Sequence, residues 1–325
     1  MTDAGVVPRA AGRRFPDAGT HAKLVLTALF WGGTFVVGRL SAQDIEPYAG
    51  AFLRFAMASS LLLVVLWKTE RRALRVRRRD MTKLALLGVS GAVLYNAFFF
   101  KGLQTVTAGR AAVIVALNPS LIALLSARLY HDRLSGTRVV GLLLSLLGAL
   151  VVISSGKPLD LLREGIGQGD GYILGCVGSW VAYTLLGKAV MARLSPLASV
   201  TWSSVIGTAG LAGLALHEGI IGHITAYPPR VWLSSVYLAV FGTVFGFVWF
   251  YQGIRVLGAT RAGVYINFVP ASSVLMGCML LHEPLSSSLI TGLLLVTVGV
   301  TFTNATRNTP SPPARHHPQA WPSPP

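Results

Sequence analysis

Residues 108–135 read AGRAAVIVALNPSLIALLSARLYHDRLS, and residues 259–286 read ATRAGVYINFVPASSVLMGCMLLHEPLS. The second stretch lies 151 positions after the first and repeats its arginine, proline, histidine and final Leu-Ser pair in register. In the longer ungapped comparison of 98–150 with 249–301, 17 of 53 positions are identical. A chance likeness between two apolar segments does not account for matched prolines, glycines, histidines and arginines. The chain therefore contains an internal repeat.

The repeat extends toward the N-terminus. With a shift of 149 positions, Trp31 matches Trp180, Gly38 matches Gly187 and Pro47 matches Pro196. The chain thus consists of two halves of similar length, each carrying the same pattern of glycines and prolines.

The composition places both halves in a membrane. Of 325 residues, 53% are hydrophobic and 12% are charged, whereas a soluble domain carries about 25% charged residues. A spanning helix needs about 20 mostly apolar residues. Ten segments meet this requirement: 24–40, 48–67, 84–101, 108–129, 139–155, 171–189, 197–216, 232–251, 259–281 and 288–303.

Each half holds five of these segments, which is an odd number, so the second half must enter the membrane in the opposite orientation. Inverted repeats are a recurring architecture of secondary transporters, with the binding site between the repeats near the midplane. The sequence therefore predicts an all-α integral membrane protein whose ten transmembrane helices form two inverted five-helix repeats, 24–155 and 171–304. A cytoplasmic segment 1–23 and a disordered, proline-rich cytoplasmic tail 305–325 are expected to flank them.

The net charge of +16 is compatible with a nucleic-acid partner or with a membrane protein. The distribution of the charges decides between them, because 21 of the 28 lysines and arginines fall on the side of the ten spans that carries both termini. Basic residues concentrate on the cytoplasmic side of membrane proteins. The sequence thus predicts cytoplasmic termini, a bacterial inner (plasma) membrane location, the lipid bilayer as a partner and no nucleic acid.

Besides the repeat, several short motifs stand out along the chain: the stretch from Trp31 to Thr34, Arg54, Asn118-Pro119, Asp132 to Ser135, Trp180 with Tyr183, Gln252-Gly253, Pro270, and His282 to Ser286. Through these residues and the tandem repeat, the chain resembles the drug/metabolite transporter superfamily, in its EamA-type form with two EamA domains, over about 24–304. The resemblance implies a carrier of small molecules, more often an exporter than an importer. The family's usual acidic residue after the fourth helix is Glu, where this chain has Asp132.

Acidic residues are absent from the centres of the ten segments, since all twelve fall in termini or connections. A mid-membrane carboxylate is the simplest device for exchanging protons against a cationic drug, so this distribution favours a neutral, zwitterionic or anionic solute. The cysteines, Cys176 and Cys278, both lie in apolar runs, which argues against a disulfide or a metal-thiolate site. The sequence predicts no metal and no cofactor.

Aromatic and amide side chains lie near the span centres instead. They suit an amphipathic metabolite through ring contacts and hydrogen bonds, although rings also pack between helices or at the membrane interface. We expect the substrate cavity to be lined by Trp31, Thr34, Tyr95, Asn96, Asn118, Trp180, Tyr183, Tyr265 and Asn267.

Two prolines, Pro119 and Pro270, occupy equivalent positions in the fourth and ninth segments. Each frees the carbonyl four residues earlier and permits a kink, so both are predicted gating positions; a static packing kink is the alternative. Arg54 is interpreted as a side chain that reaches the outer rim of the membrane and pairs there, with attraction of an anionic solute as the alternative.

These observations predict a secondary transporter, rather than an enzyme, that exports a small organic metabolite by alternating access through a central cavity between the repeats. The solute would be amino-acid-like or otherwise neutral, zwitterionic or anionic, and the protein a monomer or homodimer. The chain has no GxxxxGK[ST] loop, which argues against direct use of ATP. The alternatives are a multidrug efflux carrier and, less favoured because clustered carboxylates are missing, a membrane-embedded lipid-linked transferase.

Overall fold

The computed structural model describes residues 18–130, 135–191, 193–257 and 259–304. Within these ranges every regular element is helical. Residues 1–17 of the predicted N-terminal segment 1–23, the predicted tail 305–325 and the acidic residue Asp132 lie outside the described residues. In the described part of the chain, ten helices are long and apolar enough to cross a membrane, and we call them spans 1 to 10: Ala18–Ser41, Pro47–Thr69, Arg78–Leu103, Ala108–Leu129, Gly136–Ile153, Gln168–Met191, Pro196–His217, Pro229–Ile254, Arg261–Leu281 and Ser287–Asn304.

The prediction of an all-α membrane protein with ten spans is confirmed. Span 1 starts at Ala18, six residues before the apolar stretch, and span 3 starts at Arg78. Polar residues extend these helices because the first turn of a helix tolerates them, and Asp80 in the first turn of span 3 suits the positive end of the helix dipole. Pro47, Pro196 and Pro229 stand at the first turns of spans 2, 7 and 8, where their missing N–H costs no hydrogen bond.

Four spans are interrupted at related places in the two repeats. Spans 3 and 8 contain π-helical segments, Gly88–Leu94 and Leu238–Phe245. The helices on either side of them are Arg78–Leu87 and Tyr95–Leu103 in span 3, and Pro229–Tyr237 and Gly246–Leu257 in span 8. Span 4 consists of Ala108–Val115 and Asn118–Tyr130, and span 9 of Ala259–Val264, the 3₁₀ turn Tyr265–Asn267 and Phe268–Leu281.

Spans 5 and 10, the last helix of each repeat, cross each other at glycines. A Cβ atom at Gly299 would lie 2.5 Å from the backbone nitrogen of Ser145 and 2.6 Å from the carbonyl oxygen of Gly141. A Cβ at Gly148 would lie 2.8 Å from the carbonyl oxygen of Gly292. The shift of 151 positions exchanges these two contact pairs, as a twofold relation between inverted repeats requires. We call this crossing the glycine seam.

The ten crossings place Ala18 and Asn304 at the same side of the helix bundle, which we call the terminal face; the other side is the loop face. The short 3₁₀ helix Arg71–Leu74 lies at the terminal face, and the short helices Pro158–Glu164 and Ile220–His223 lie at the loop face.

Candidate functional site

A cavity of about 720 Å³ lies between the two repeats and is lined by residues of both. It reaches the terminal ends of spans 5, 6 and 10, where Arg138, Met191 and Asn304 line it. Toward the loop face it ends at Phe35 and Phe99, both buried, behind which the bundle is packed with buried side chains. The cavity therefore extends toward the terminal face and is sealed toward the loop face.

Aromatic rings form one wall of the cavity. The ring centroids of Trp31 and Phe250 are 5.3 Å apart, and those of Trp180 and Tyr95 are 5.5 Å apart. Phe247 joins the two groups, with centroids 5.8 Å from Trp31 and 6.2 Å from Trp180. These rings come from spans 1, 3, 6 and 8, so the wall spans both repeats and offers an apolar surface to a bound molecule.

The π-helical segments make room for this wall. A Cβ at Gly91 would lie 2.4 Å from the ring of Tyr183, and a Cβ at Gly246, just after the second segment, 2.4 Å from the indole nitrogen of Trp31. That indole nitrogen donates a hydrogen bond to the carbonyl oxygen of Gly242, 2.9 Å away. Because Gly91 and Gly246 have no side chains, the rings of Tyr183 and Trp31 can approach the backbone this closely.

The broken helices form another side of the cavity. Val115, Ala116 and Asn118 line it from span 4, and Ile266 and Asn267 line it from span 9, next to the two lining prolines. Asn118 is 7% exposed, and its Oδ1 atom is buried with no hydrogen-bond partner. A buried carbonyl oxygen of this kind is available to a donor on a ligand.

Arg54 lies deep in the cavity, about 10 Å along span 2 from the loop face at the usual helical rise. It is 8% exposed. Its Nη1 donates to Oδ1 of Asn96 at 3.0 Å, its Nη2 donates to Oγ1 of Thr243 at 3.4 Å, and its Nε is buried without a partner. The interpretation of Arg54 as a rim residue that reaches water is wrong: the side chain points into the bundle because an amide and a hydroxyl there accept its N–H groups.

Both acceptors are held by the π-helical segments. The side-chain nitrogen of Asn96 donates to the carbonyl oxygen of Ala92 at 2.9 Å, and the hydroxyl of Thr243 donates to that of Leu238 at 3.0 Å. Each segment therefore orients an oxygen atom toward Arg54, one from each repeat.

At the deep end of the cavity, around Arg54, equivalent positions of the two repeats carry chemically different side chains. The position equivalent to Arg54 in the second repeat is Ser203, and the position equivalent to Asn96 is Phe247. Both counterparts line the cavity. A cation and an amide in the first repeat thus face a small hydroxyl and a ring from the second, which gives the cavity a polar end and an apolar wall.

Most of the residues predicted to line the cavity do so, with the exception of Tyr265. Its hydroxyl hydrogen-bonds to Nδ1 of His21 near the terminal face, because the tight 3₁₀ turn at Tyr265–Asn267 directs Tyr265 away while Ile266 and Asn267 line the cavity. The predicted residues that the structure brings together are Trp31, Thr34, Tyr95, Asn96, Asn118, Pro119, Trp180, Tyr183, Asn267 and Pro270. Their role in binding or gating stays a prediction.

Sequence reasoning missed several lining residues. Phe247, Phe250 and Tyr251 belong to an aromatic run whose spacing did not reveal which rings face inward. Ser199 and Ser203 are four residues apart on span 7 and so lie on one helix face. That spacing of hydroxyl groups was a usable signal for a cavity-lining side.

Polar contacts join the two repeats at the loop face. Arg110 of span 4 binds Asp170 of span 6 through two hydrogen bonds, 2.8 Å from Nε and 2.6 Å from Nη2. Glu283 accepts bonds from the backbone nitrogens of Ala108 and Gly109 at 2.7 and 3.1 Å, so it caps the first turn of span 4 from the other repeat.

Glu218, just after span 7, caps span 2 in the same way, with bonds of 2.8 and 2.9 Å from the backbone nitrogens of Tyr48 and Ala49. Burial raises the pKa of Glu218, although these backbone donors partly offset the effect. Together these contacts hold the repeats closed at the loop face.

Comparison with known proteins finds the same division of the chain into two repeats. The model of the EamA-like transporter family matches the chain twice, at residues 21–154 and 167–305. An uncharacterized transporter of Archaeoglobus fulgidus is 29% identical over 279 residues, which cover 85% of this chain and 95% of that protein. The uncharacterized transporter YyaM of Bacillus subtilis is 28% identical over 273 residues, covering 84% and 89%.

Two further proteins with lower sequence identity are also similar to this chain over most of its length. A chloroplastic WAT1-related protein of Arabidopsis thaliana is 24% identical over 293 residues, covering 86% of this chain and 68% of that protein. A protein of known crystal structure shares the fold with a TM-score of 0.57 at 20% identity, covering 88% of this chain and 96% of that one.

Proposed function

Because this chain belongs to the EamA-like transporter family, we propose that it is a secondary carrier that exports a small organic solute by alternating access. The cavity between the two repeats carries the proposal. It is large enough for a metabolite, it is lined by both repeats, and it extends toward the terminal face of the bundle. A carrier needs such a cavity, and it delivers the solute when the repeats close one face and open the other.

The chemistry of the lining favours a neutral, zwitterionic or anionic solute. The described lining residues include Arg54 and Arg138 and no aspartate or glutamate. A cationic drug would meet like charge there and would find no carboxylate to neutralise it. The aromatic wall suits the apolar part of an amphipathic molecule.

The charge distribution supports the proposed direction of transport. With 21 of 28 basic residues on the side of the termini, the terminal face is cytoplasmic by the usual bias of lysine and arginine. The cavity then extends toward the cytoplasm of a bacterial cell, where an exporter binds its solute.

The test is a flux assay on the purified protein in sealed proteoliposomes, with solutes chosen by metabolite profiling of cells with and without the protein. We expect at least one small organic solute to exchange across the membrane in a protein-dependent, saturable manner. Profiles that do not change, together with no protein-dependent exchange of any solute in the panel, would contradict the proposal.

Trp31→Ala and Asn267→Ala are expected to lower this exchange without preventing membrane insertion. Trp31 contributes a ring to the wall and Asn267 an amide to the broken span, and loss of a ring contact of about 1.4 kcal/mol corresponds to about a tenfold weaker interaction. Trp67→Ala is the matched control, since Trp67 is 48% exposed and lies outside the cavity lining. Wild-type rates in both cavity variants would remove these residues from the proposed site.

A further inference from the structure

We propose that Arg54 binds the carboxylate of the transported solute, so that the substrates of this carrier are organic monoanions with an apolar, ring-bearing part. This inference deepens the proposed function and rests on it. The observation behind it is a buried guanidinium that lines the cavity, with neutral partners only and with its Nε atom unpaired.

A buried charge is costly unless an opposite charge or enough hydrogen bonds compensate it. Among the described residues, the ion pairs involve Arg110, Arg193, His223 and Arg230, and none of them includes Arg54. No described carboxylate lines the cavity either. The counter-charge for Arg54 is therefore missing from the described part of the protein, and an anion in the cavity would supply it.

The remaining donors of Arg54 suit a carboxylate. A guanidinium has five N–H groups, and the protein oxygens of Asn96 and Thr243 engage two of its nitrogens while Nε has no partner. A guanidinium can bind the two oxygens of one carboxylate side by side through two of its N–H groups. Asn96 and Thr243 would then hold the guanidinium in place and leave its unengaged N–H groups to the solute.

The number of charges favours a monoanion over a phosphate. Arg54 is the cation at the deep end, while Arg138 lines the cavity at the start of span 5, near the terminal face. One carboxylate neutralises Arg54, whereas a phosphate dianion would leave a second negative charge in a buried, ring-lined space.

The surroundings of Arg54 specify the rest of the solute. Its guanidinium carbon lies 5.6 Å from the ring centroid of Phe55 and 5.9 Å from that of Phe99. Toward the terminal face the cavity continues along the wall formed by Trp31, Trp180 and Phe247. A molecule with its carboxylate at Arg54 therefore places its other end against aromatic rings, which a ring or branched apolar group fits best.

The experiment compares probes that share one ring and differ in charge: 3-phenylpropionate, 3-phenylpropionamide, phenethylamine and phenyl phosphate. Binding to the purified full-length protein is measured by quenching of tryptophan fluorescence, and transport by exchange in proteoliposomes. In the wild type, 3-phenylpropionate is expected to bind at least about tenfold more tightly than the amide, the value for a charge-assisted bond of about 1.5 kcal/mol. In Arg54→Gln the ratio is expected to fall to about one, and in Arg54→Lys to an intermediate value.

Arg128→Gln is the matched control, because Arg128 is exposed near the terminal end of span 4 and lies outside the cavity lining. It is expected to keep the wild-type ratio. The melting temperature of Arg54→Gln in detergent is expected to equal or exceed that of the wild type, since the substitution removes an uncompensated buried charge.

An unchanged ratio in folded Arg54→Gln, or a preference for phenyl phosphate, the amide or the amine in the wild type, would overturn the inference. If the carrier exchanges neutral solutes and ignores the anions, the proposed function stands and the assignment of Arg54 fails. If no solute is exchanged but 3-phenylpropionate still binds through Arg54, the proposed function fails and the binding site stands.

Discussion

Oxidation of the double variant Thr105→Cys/Gly169→Cys is expected to stop transport, and reduction is expected to restore it. Thr105 follows span 3 in the first repeat, and Gly169 opens span 6 in the second repeat, both at the loop face. A Cβ at Gly169 would lie 3.4 Å from the Cβ of Thr105, close to the separation of about 3.5–4.5 Å that a disulfide needs. The bond would fix the two repeats together on the side where the cavity is sealed.

The expected effect is loss of exchange to the level of protein-free vesicles. Alternating access requires the loop face to open, and a covalent bond between the repeats prevents it. The variants are made with Cys176→Ala and Cys278→Ala, so that the free cysteines of the described chain do not react. Each single variant, oxidised in the same way, should transport normally, and wild-type rates in fully cross-linked protein would contradict a moving loop face.

Gly299→Ala is expected to cause a large loss of stability. The added Cβ would lie 2.5 Å from the backbone nitrogen of Ser145 and 2.6 Å from the carbonyl oxygen of Gly141, and backbone atoms of a packed helix cannot move aside without separating spans 5 and 10. Overpacking in a well-packed interior costs about 1–3 kcal/mol and occasionally more, and a contact with backbone atoms belongs at the upper end of this range. The variant should give little monodisperse protein and a melting temperature several degrees below that of the wild type.

Gly213→Ala provides the matched control. Gly213 lies in span 7, and a Cβ there would have no neighbouring atom within 4 Å, while alanine is the better helix former. Its melting temperature should equal or slightly exceed the wild-type value. Equal stability of the Gly299 and Gly213 variants would show that the glycine seam does not hold the repeats together.

The number of spans could be predicted from the sequence because it depends on local composition. The repeat could be predicted because it depends on matched prolines and glycines. The shift of 151 positions also identifies the glycines of the seam as equivalent positions of the two repeats, Gly141 with Gly292 and Gly148 with Gly299. The break near Pro119 also follows from the chemistry of one residue, since proline cannot donate a backbone hydrogen bond in a helix.

The parts that sequence reasoning missed depend on packing between distant segments. Arg54 was placed at the membrane rim because a lone cation is costly in the bilayer, but Asn96 and Thr243, which accept its bonds, come from spans 3 and 8. The π-helical segments that orient these two residues carry no distinctive composition. Tyr265 and Asn267 lie in the same 3₁₀ turn, but only Asn267 lines the cavity. The apolar pattern of span 9 does not reveal which side chain of this turn faces inward.

The most direct test of a one-sided cavity between the repeats is labelling of Thr184→Cys, at a lining position of span 6, in the cross-linked double variant. A membrane-impermeant maleimide is added to sealed vesicles of each orientation. We expect reaction from the terminal face only, and loss of reaction when an exchanged solute fills the cavity. Reaction from the loop face while the cross-link is intact, or no reaction from either face, would contradict it.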